Sequence, residues 1–227
     1  MGEHLEIGKR MKRYEGVTEY LLPNRIPVIV RIDGRAFHTF TRKFHKQWSE
    51  ELANHMIATA HVVMGQMQGC CFCYGQSDEI SFLLTDYRTI KTQSWFEYDL
   101  RKIISISAAT ASATLSLLTN HNIAFDSRAF SVPQDDVSNY FIWRQLDAIR
   151  NSTQFAASEY YSHEERENKN CETLVEMLKE KGINFEEYPL LRRRGFCISK
   201  KTGIDFHIPS FVDRPSYVNQ HVYMRED

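Results

Sequence analysis

Ile26-Pro27-Val28-Ile29-Val30-Arg31-Ile32 is a nearly unbroken β-branched run that stops at Asp33-Gly34. Such a run reads as a buried strand, because branched side chains suit a packed, pleated surface and Asp-Gly opens a turn. A chain with that strand must supply others to pair with it. From about Trp48 to Gln68, Leu52, Met56, Ala60, Val63 and Met67 recur at helical spacing. Cys70 to Tyr74 reads as a second strand, Gly75-Gln76-Ser77-Asp78 as a turn and Ile80 to Leu84 as a third strand, together a hairpin. A second helix is expected over Trp95 to Leu118, striped by Leu100, Ile103, Ile104, Ser107, Ala111 and Leu115, and a fourth strand over Ile123 to Val132.

The order β-α-β-β-α-β predicts an α+β fold of ferredoxin-like type. Its sheet is antiparallel, its first and third strands are central, and its helices lie on one face, leaving the other free to bind. After Pro133 the character changes. Asp135 to about Tyr161 and Asn168 to Lys181 read as helices, the second ending at a Gly182 cap. Gly195 to Ile198 and Gly203 to Ile208 read as a hairpin around Lys200-Lys201. The expected division is a sheet domain at 1–133 and a mainly helical region at 134–227 packed on it.

The 227 residues are 42% hydrophobic and 25% charged, the balance of a globular protein. A net charge of −1 neither announces nor excludes a nucleic-acid partner, since binding follows local patches. The first residues lack the apolar core of a secretory signal, and no run approaches the ~18–20 apolar residues of a membrane span. Five cysteines suit a reducing compartment. The expected location is cytoplasmic, with no membrane. Cys70 and Cys73 form a C-x-x-C, but no second pair follows, and residues three apart on a strand point to opposite faces. Zinc is therefore not expected.

Asp33 ends the first strand, and Asp78 and Glu79 occupy the turn between the second and third. With the first and third strands adjacent, these acids can meet at one edge of the sheet. Two converging carboxylates can hold two Mg²⁺ ions, which favour hard oxygen ligands and stay open to phosphates. Such ions, ~3.5–4 Å apart, activate an attacking oxygen and neutralise a departing pyrophosphate. Asp78 and Glu79 are neighbours and should point to opposite sides, so one serves as ligand and the other is structural. Gly34 lets its carbonyl and neighbouring amides approach an ion or phosphate. By spacing alone, these segments read more readily as ordinary Asp/Gly turns than as a catalytic site.

The wording of the segments adds more. Arg31-Ile32-Asp33-Gly34-Arg35-Ala36-Phe37-His38 resembles the R-I-D-G-x-x-F-H signature of tRNA(His) guanylyltransferases and their bacterial and archaeal relatives. Tyr74-Gly75-Gln76-Ser77-Asp78-Glu79-Ile80-Ser81-Phe82 resembles their Y-x-Q-S-D-E-x-S-F signature. Phe125-Asp126-Ser127-Arg128, Trp143-Arg144-Gln145-Leu146-Asp147-Ala148, Gly182-Ile183-Asn184 and Arg194-Gly195 match in the same order. The resemblance implies a polymerase-palm-like catalytic domain and 3′–5′ nucleotide addition to the 5′ end of tRNA. It implies Asp33 and Asp78 as catalytic, metal-binding carboxylates, with Gly34 contributing its carbonyl to two Mg²⁺ ions. Asp33, Gly34, Arg35, Ala36, Phe37 and His38, with Ser77 and Asp78, would hold the nucleotide; ATP and GTP are the implied substrates, tRNA the partner, and a homotetramer the assembly. Where eukaryotic members carry H-I-N-N-L-Y-N, this chain reads Ile149-Arg150-Asn151-Ser152-Thr153-Gln154. That departure resembles the branch that prefers templated repair of 5′-truncated tRNA over non-templated guanosine addition.

Lys46, Lys102 and Ser105 are candidate phosphate contacts, since lysine is a good point charge for phosphate. Arg192-Arg193-Arg194, beside Lys200-Lys201, is the densest basic region and a candidate RNA contact; Arg10, Lys12 and Arg13 form a second. Arg144 and Asp147 are spaced to pair on a helix, and Asp126 and Arg128 share one face of a strand. Two other readings remain available: a palm-type nucleotidyl cyclase acting without RNA, and a non-catalytic RNA-binding protein.

Overall fold

The computed structural model describes residues 2–44 and 48–223, side chains at 2–3, 38 and 42–44 excepted. An N-terminal helix, α1 (Gly2–Gly16), precedes β1 (Val28–Gly34), the strand formed by the β-branched run. There follow α2 (Phe37–Phe44), α3 (Glu50–Gln66), β2 (Cys70–Gln76), β3 (Glu79–Leu84), α4 (Leu100–Thr119) and β4 (Phe125–Ser131). The remainder contributes α5 (Val137–Ser158), α6 (His163–Arg166), α7 (Cys171–Glu180), α8 (Leu190–Arg194), β5 (Phe196–Ser199), β6 (Gly203–Asp205) and α9 (Ser216–Val222).

The strands form one antiparallel sheet in the order β4-β1-β3-β2-β5-β6. β1 and β3 are the central neighbours of the β-α-β-β-α-β unit, as its strand order requires. The C-terminal hairpin extends the same sheet, with Tyr74 opposite Cys197. Alternation along β1 sends Val28, Val30 and Ile32 to one side, where Met56, Ala60 and Val63 of α3 and Ile103, Ala111 and Leu115 of α4 complete a core. Ser49 caps α3 by accepting from the Leu52 amide, and Asp99 caps α4 by accepting from that of Arg101. That cap places the start of the second helix at Leu100, after a short 3₁₀ turn over Trp95–Tyr98. By length and mean hydropathy alone α4 is sufficient to cross a membrane, contrary to the expectation that no segment is. In this fold it lies on the sheet, with Ser107 buried in its stripe and bonded to Ser127 at 2.7 Å.

The second face of the sheet is not left free. Ile29, Phe72 and Leu83 on that side are covered by Val137 and Phe141 of α5 and by Val218 and Val222 of α9. The C-terminal helices bury it because it too is apolar, except near the end of β1.

Cys70 and Cys73 share a face, because a bulge between Cys70 and Phe72 shifts the β2–β3 register and breaks the simple alternation. Among the described residues no set of three or more His, Cys, Asp or Glu side chains forms a metal cage.

His221 on α9 is 2% exposed, stacks on Phe72 at 4.8 Å, and leaves its Nδ1 without a partner. Burial, then the charges of Arg88 and Lys201, pull its pKa from the ordinary 6.5 down to about 4. A base depressed in the folded state stabilises the fold above its unfolded pKa and loses that contribution as pH falls through the folded one. Stability should therefore drop by about 3 kcal/mol between pH 6.5 and 4 through this group. Denaturant unfolding across that range should give a shallower pH dependence in His221→Phe than in the wild type. Equal slopes would show that His221 does not titrate there.

Candidate active site

Three acids gather where β1 ends and the β2–β3 turn closes. Asp33 lies directly opposite Glu79 in the β1–β3 ladder. Strand pairing runs to Gln76 opposite Glu79, so the turn narrows to Ser77-Asp78 rather than the expected four residues. The Asp78 carbonyl accepts from the Gly34 amide at 3.0 Å, drawing that turn against β1. A Cβ on Gly34 would meet the Cβ of Asp78 and the ring of Phe37, so the bare backbone is what permits this closure. Ala36 and Ser77 both take left-handed φ, 52° and 55°, a conformation that non-glycine residues adopt only when surroundings impose it. α2 begins directly after Ala36, with the Thr39 amide bonded to the Ala36 carbonyl, so the positive end of the helix borders the loop and equips it for an anion.

Burial, then the neighbouring charge of Asp33, pushes the Asp78 carboxyl up to about 6. Asp33 is also raised, chiefly by burial, with Arg31 opposing and Asp126 adding to it. Two crowded carboxylates beside a backbone carbonyl are a hard-oxygen donor set, and a divalent cation would relieve their repulsion. The residues present therefore fit Mg²⁺.

Glu79 is differently engaged. Its carboxylate accepts two bonds from Arg144, from Nε at 2.7 Å and Nη2 at 2.8 Å, and pairs with Arg31 at 3.6 Å. Arg144 in turn donates to Asp147 at 3.0 Å. Glu79 thereby ties the sheet to α5. The sequence pairs Arg144 with Asp147 but offers no sign of its partner 65 residues away.

The acids open into a cleft of about 1360 Å³. One wall comes from α2 and α3, with Phe37, Leu52 and Met56; the other comes from α5, with Trp143, Asn151 and Phe155. Of the expected nucleotide loop, Asp33, Gly34, Ala36, Phe37, Ser77 and Asp78 line it, whereas Arg35 is exposed outside it. Lys46 and the side chain of His38 lie outside the described residues. Lys102 and Ser105 are not brought to the cleft. They sit in the first turns of α4, toward the Val28 end of β1, and the Ser105 hydroxyl donates back to the Arg101 carbonyl at 2.6 Å. The basic run divides as well. Arg192 lines the cleft, held by Glu159 at 2.9 Å and stacked on Tyr188 at 4.1 Å. Arg193 is only 12% exposed in its side chain and is bound by the Tyr188 carbonyl and Glu186. Arg194 presents its backbone carbonyl to the Tyr74 hydroxyl at 2.8 Å, and neither it nor Arg193 lines the cleft. The 3.6-residue period of an α-helix turns adjacent side chains about 100° apart, so three consecutive arginines do not share one wall. Trp143 stands in a matched segment, whereas Asn151 and Phe155 escape a residue-type search. Their spacing of four or eight is the available signal, since it places them on one stripe of α5.

Comparisons with known proteins identify the relatives of this fold. Residues 8–133 match the family model described as Thg1, tRNAHis guanylyltransferase. A bacterial tRNA(His) guanylyltransferase (Thg1)-like protein solved in complex with ATP superposes with a TM-score of 0.92, at 40% identity over 96% of this chain and 99% of that one. A structure of such a protein with GTP gives 0.87 at 39% identity, over the same shares. The probable tRNA(His) guanylyltransferase of Drosophila melanogaster is 27% identical over 219 residues, 85% of this chain and 74% of that protein.

Proposed function

The chain belongs to the Thg1 family of tRNA(His) guanylyltransferases, which are nucleotidyltransferases, and from that premise we propose that it extends the 5′ end of tRNA in the 3′–5′ direction. The observation that carries this reading is the pairing of Asp33 and Asp78 at the mouth of a cleft that the α2 loop borders. In the proposed reaction the RNA 5′-monophosphate first attacks an NTP and releases pyrophosphate. The 3′-hydroxyl of an incoming NTP then attacks the activated 5′-phosphate and displaces the nucleoside monophosphate.

Asp33, Asp78 and the Gly34 carbonyl would hold Mg²⁺. When bound, such ions make a hydroxyl more nucleophilic and neutralise charge on a leaving pyrophosphate. The α2 loop orients the triphosphate at the positive end of the helix. Phe37, Leu52 and Met56 offer the apolar surface that a nucleobase needs. Glu79 acts through Arg144 and Arg31, holding β1, β3 and α5 in register so that the two aspartates stay together. The substitution of Ile149 to Gln154 for the eukaryotic motif supports templated repair of truncated tRNA rather than obligatory guanosine addition.

The test is a 5′-extension assay with Mg²⁺, ATP, all four NTPs and a 5′-monophosphorylated tRNA lacking its first nucleotide. Templated extension by the wild type, lost in Asp33→Ala, is the expected result. NTP consumption without RNA would replace this reading with a cyclase-like one. RNA binding without turnover would leave a binding protein.

A further inference from the structure

The cleft is larger than one nucleotide requires. Pockets that enclose a single drug-sized ligand run to ~300–1,000 Å³, and this one reaches about 1360 Å³. The wall formed by α2 and α3 accommodates the NTP, which leaves the α5 wall unassigned. Trp143 stands there with 54% of its surface exposed, although a tryptophan is costly to leave in water. Its ring is not loose. The Arg144 guanidinium lies 4.4 Å from the ring centroid, and Tyr140 meets it edge-on at 5.9 Å. Arg144 is itself clamped by Glu79, the residue after Asp78. A rigid, exposed ring is thus anchored to the strand that carries the acids. Arg128 lines the same cleft, its half-exposed guanidinium paired only at 3.3 Å to an equally exposed Asp126.

We infer that Trp143 is a stacking platform for the terminal nucleobase of the RNA, with Arg128 meeting the adjoining phosphate. A pre-ordered aromatic face beside a surface guanidinium is the combination that holds single-stranded or end-exposed nucleic acid. Asp147, the acid on this wall, does not oppose it, because Arg144 and Arg150 already neutralise its carboxylate. The inference rests on the 5′-extension reading and assigns the RNA, rather than the NTP, to the α5 wall.

Steady-state extension by the full chain, varying tRNA and NTP separately, tests it. Trp143→Ala should raise the KM for tRNA by about tenfold or more while leaving the KM for NTP unchanged, and Trp143→Phe should restore most of the affinity. A fluorescence titration provides a readout that does not need turnover. Added tRNA should quench wild-type tryptophan emission, and most of that quenching should be lost in Trp143→Phe, which keeps Trp95 and Trp48, the latter also on the cleft wall. An unchanged KM for tRNA in Trp143→Ala, with extension intact, overturns the platform alone. A rise in the KM for NTP instead assigns the ring to the nucleotide and also overturns it. A wild type that neither extends nor binds tRNA defeats the functional reading beneath it.

Discussion

Asp78→Asn is expected to abolish nucleotide addition and, at the same time, to make the metal-free protein more stable. Asp78 is half-buried beside Asp33, and both burial and that neighbour push its pKa up to about 6 from 3.8. An acid whose folded pKa is raised costs nothing below its unfolded pKa, and its penalty grows until pH exceeds the folded one. Above about pH 6 the whole penalty is present. Asparagine keeps the shape and removes the charge, so it should recover about 3 kcal/mol at pH 7.5 and little at pH 4. For a chain of this size that is a rise in Tm of about 6–12 °C. Mg²⁺ should stabilise the wild type by mass action and leave the variant unmoved. Extension should fall at least ~100-fold, because the remaining carboxylate holds the cations poorly. A variant that is less stable at pH 7.5, or that still responds to Mg²⁺, would remove Asp78 from the metal site.

Gly195→Ala is expected to cost about 3–5 kcal/mol, among the largest single losses this fold can suffer. Gly195 ends α8 and starts β5 at φ 83° and ψ −155°, a combination open essentially to glycine alone. It also lies flat on β2: an added Cβ would overlap the Gly75 carbonyl oxygen and approach the Gln76 Cβ to 3.0 Å. Both neighbours are in the central hairpin, so neither yields cheaply. The hairpin of β5 and β6 would have to detach or shift, uncovering Phe196 and Cys197, which are 2% and 1% exposed. Urea unfolding measures the loss directly. Because Gly195 and Phe196 line the cleft floor, nucleotide affinity should fall together with stability. A loss under about 1 kcal/mol would mean that the backbone relaxes at this point with little cost.

The palm-type sheet was legible because each of its elements carries a local pattern. β1 announces itself through branched residues ended by Asp-Gly, and α3 through Met56, Ala60 and Val63 at helical spacing. α2 was not legible, since Phe37-His38-Thr39-Phe40 carries no cap acid and follows a signature that reads as loop. The far face of the sheet was misjudged for a different reason. An element order specifies which strands can pair, but not how a later segment, joined by sequence only, returns to cover them. α5 and α9 return because Ile29, Phe72 and Leu83 are apolar on that side, a fact visible only after the register is known.

The sequence by itself determined the candidate metal carboxylates, Asp33 and Asp78, because covalent order places each at a strand end beside a turn. It also determined the central β1–β3 pairing and the family resemblance. Only the tertiary structure decided what Glu79 does, since Arg144 reaches it from a helix 65 residues away. It alone removed Lys102 and Ser105 from the cleft, divided the arginines of 192–194, and set Trp143 on the cleft that the acids line. The physical reason is one of range. Backbone periodicity and turn chemistry act over a few residues, whereas charge pairing and burial act between surfaces that only the packed chain brings together.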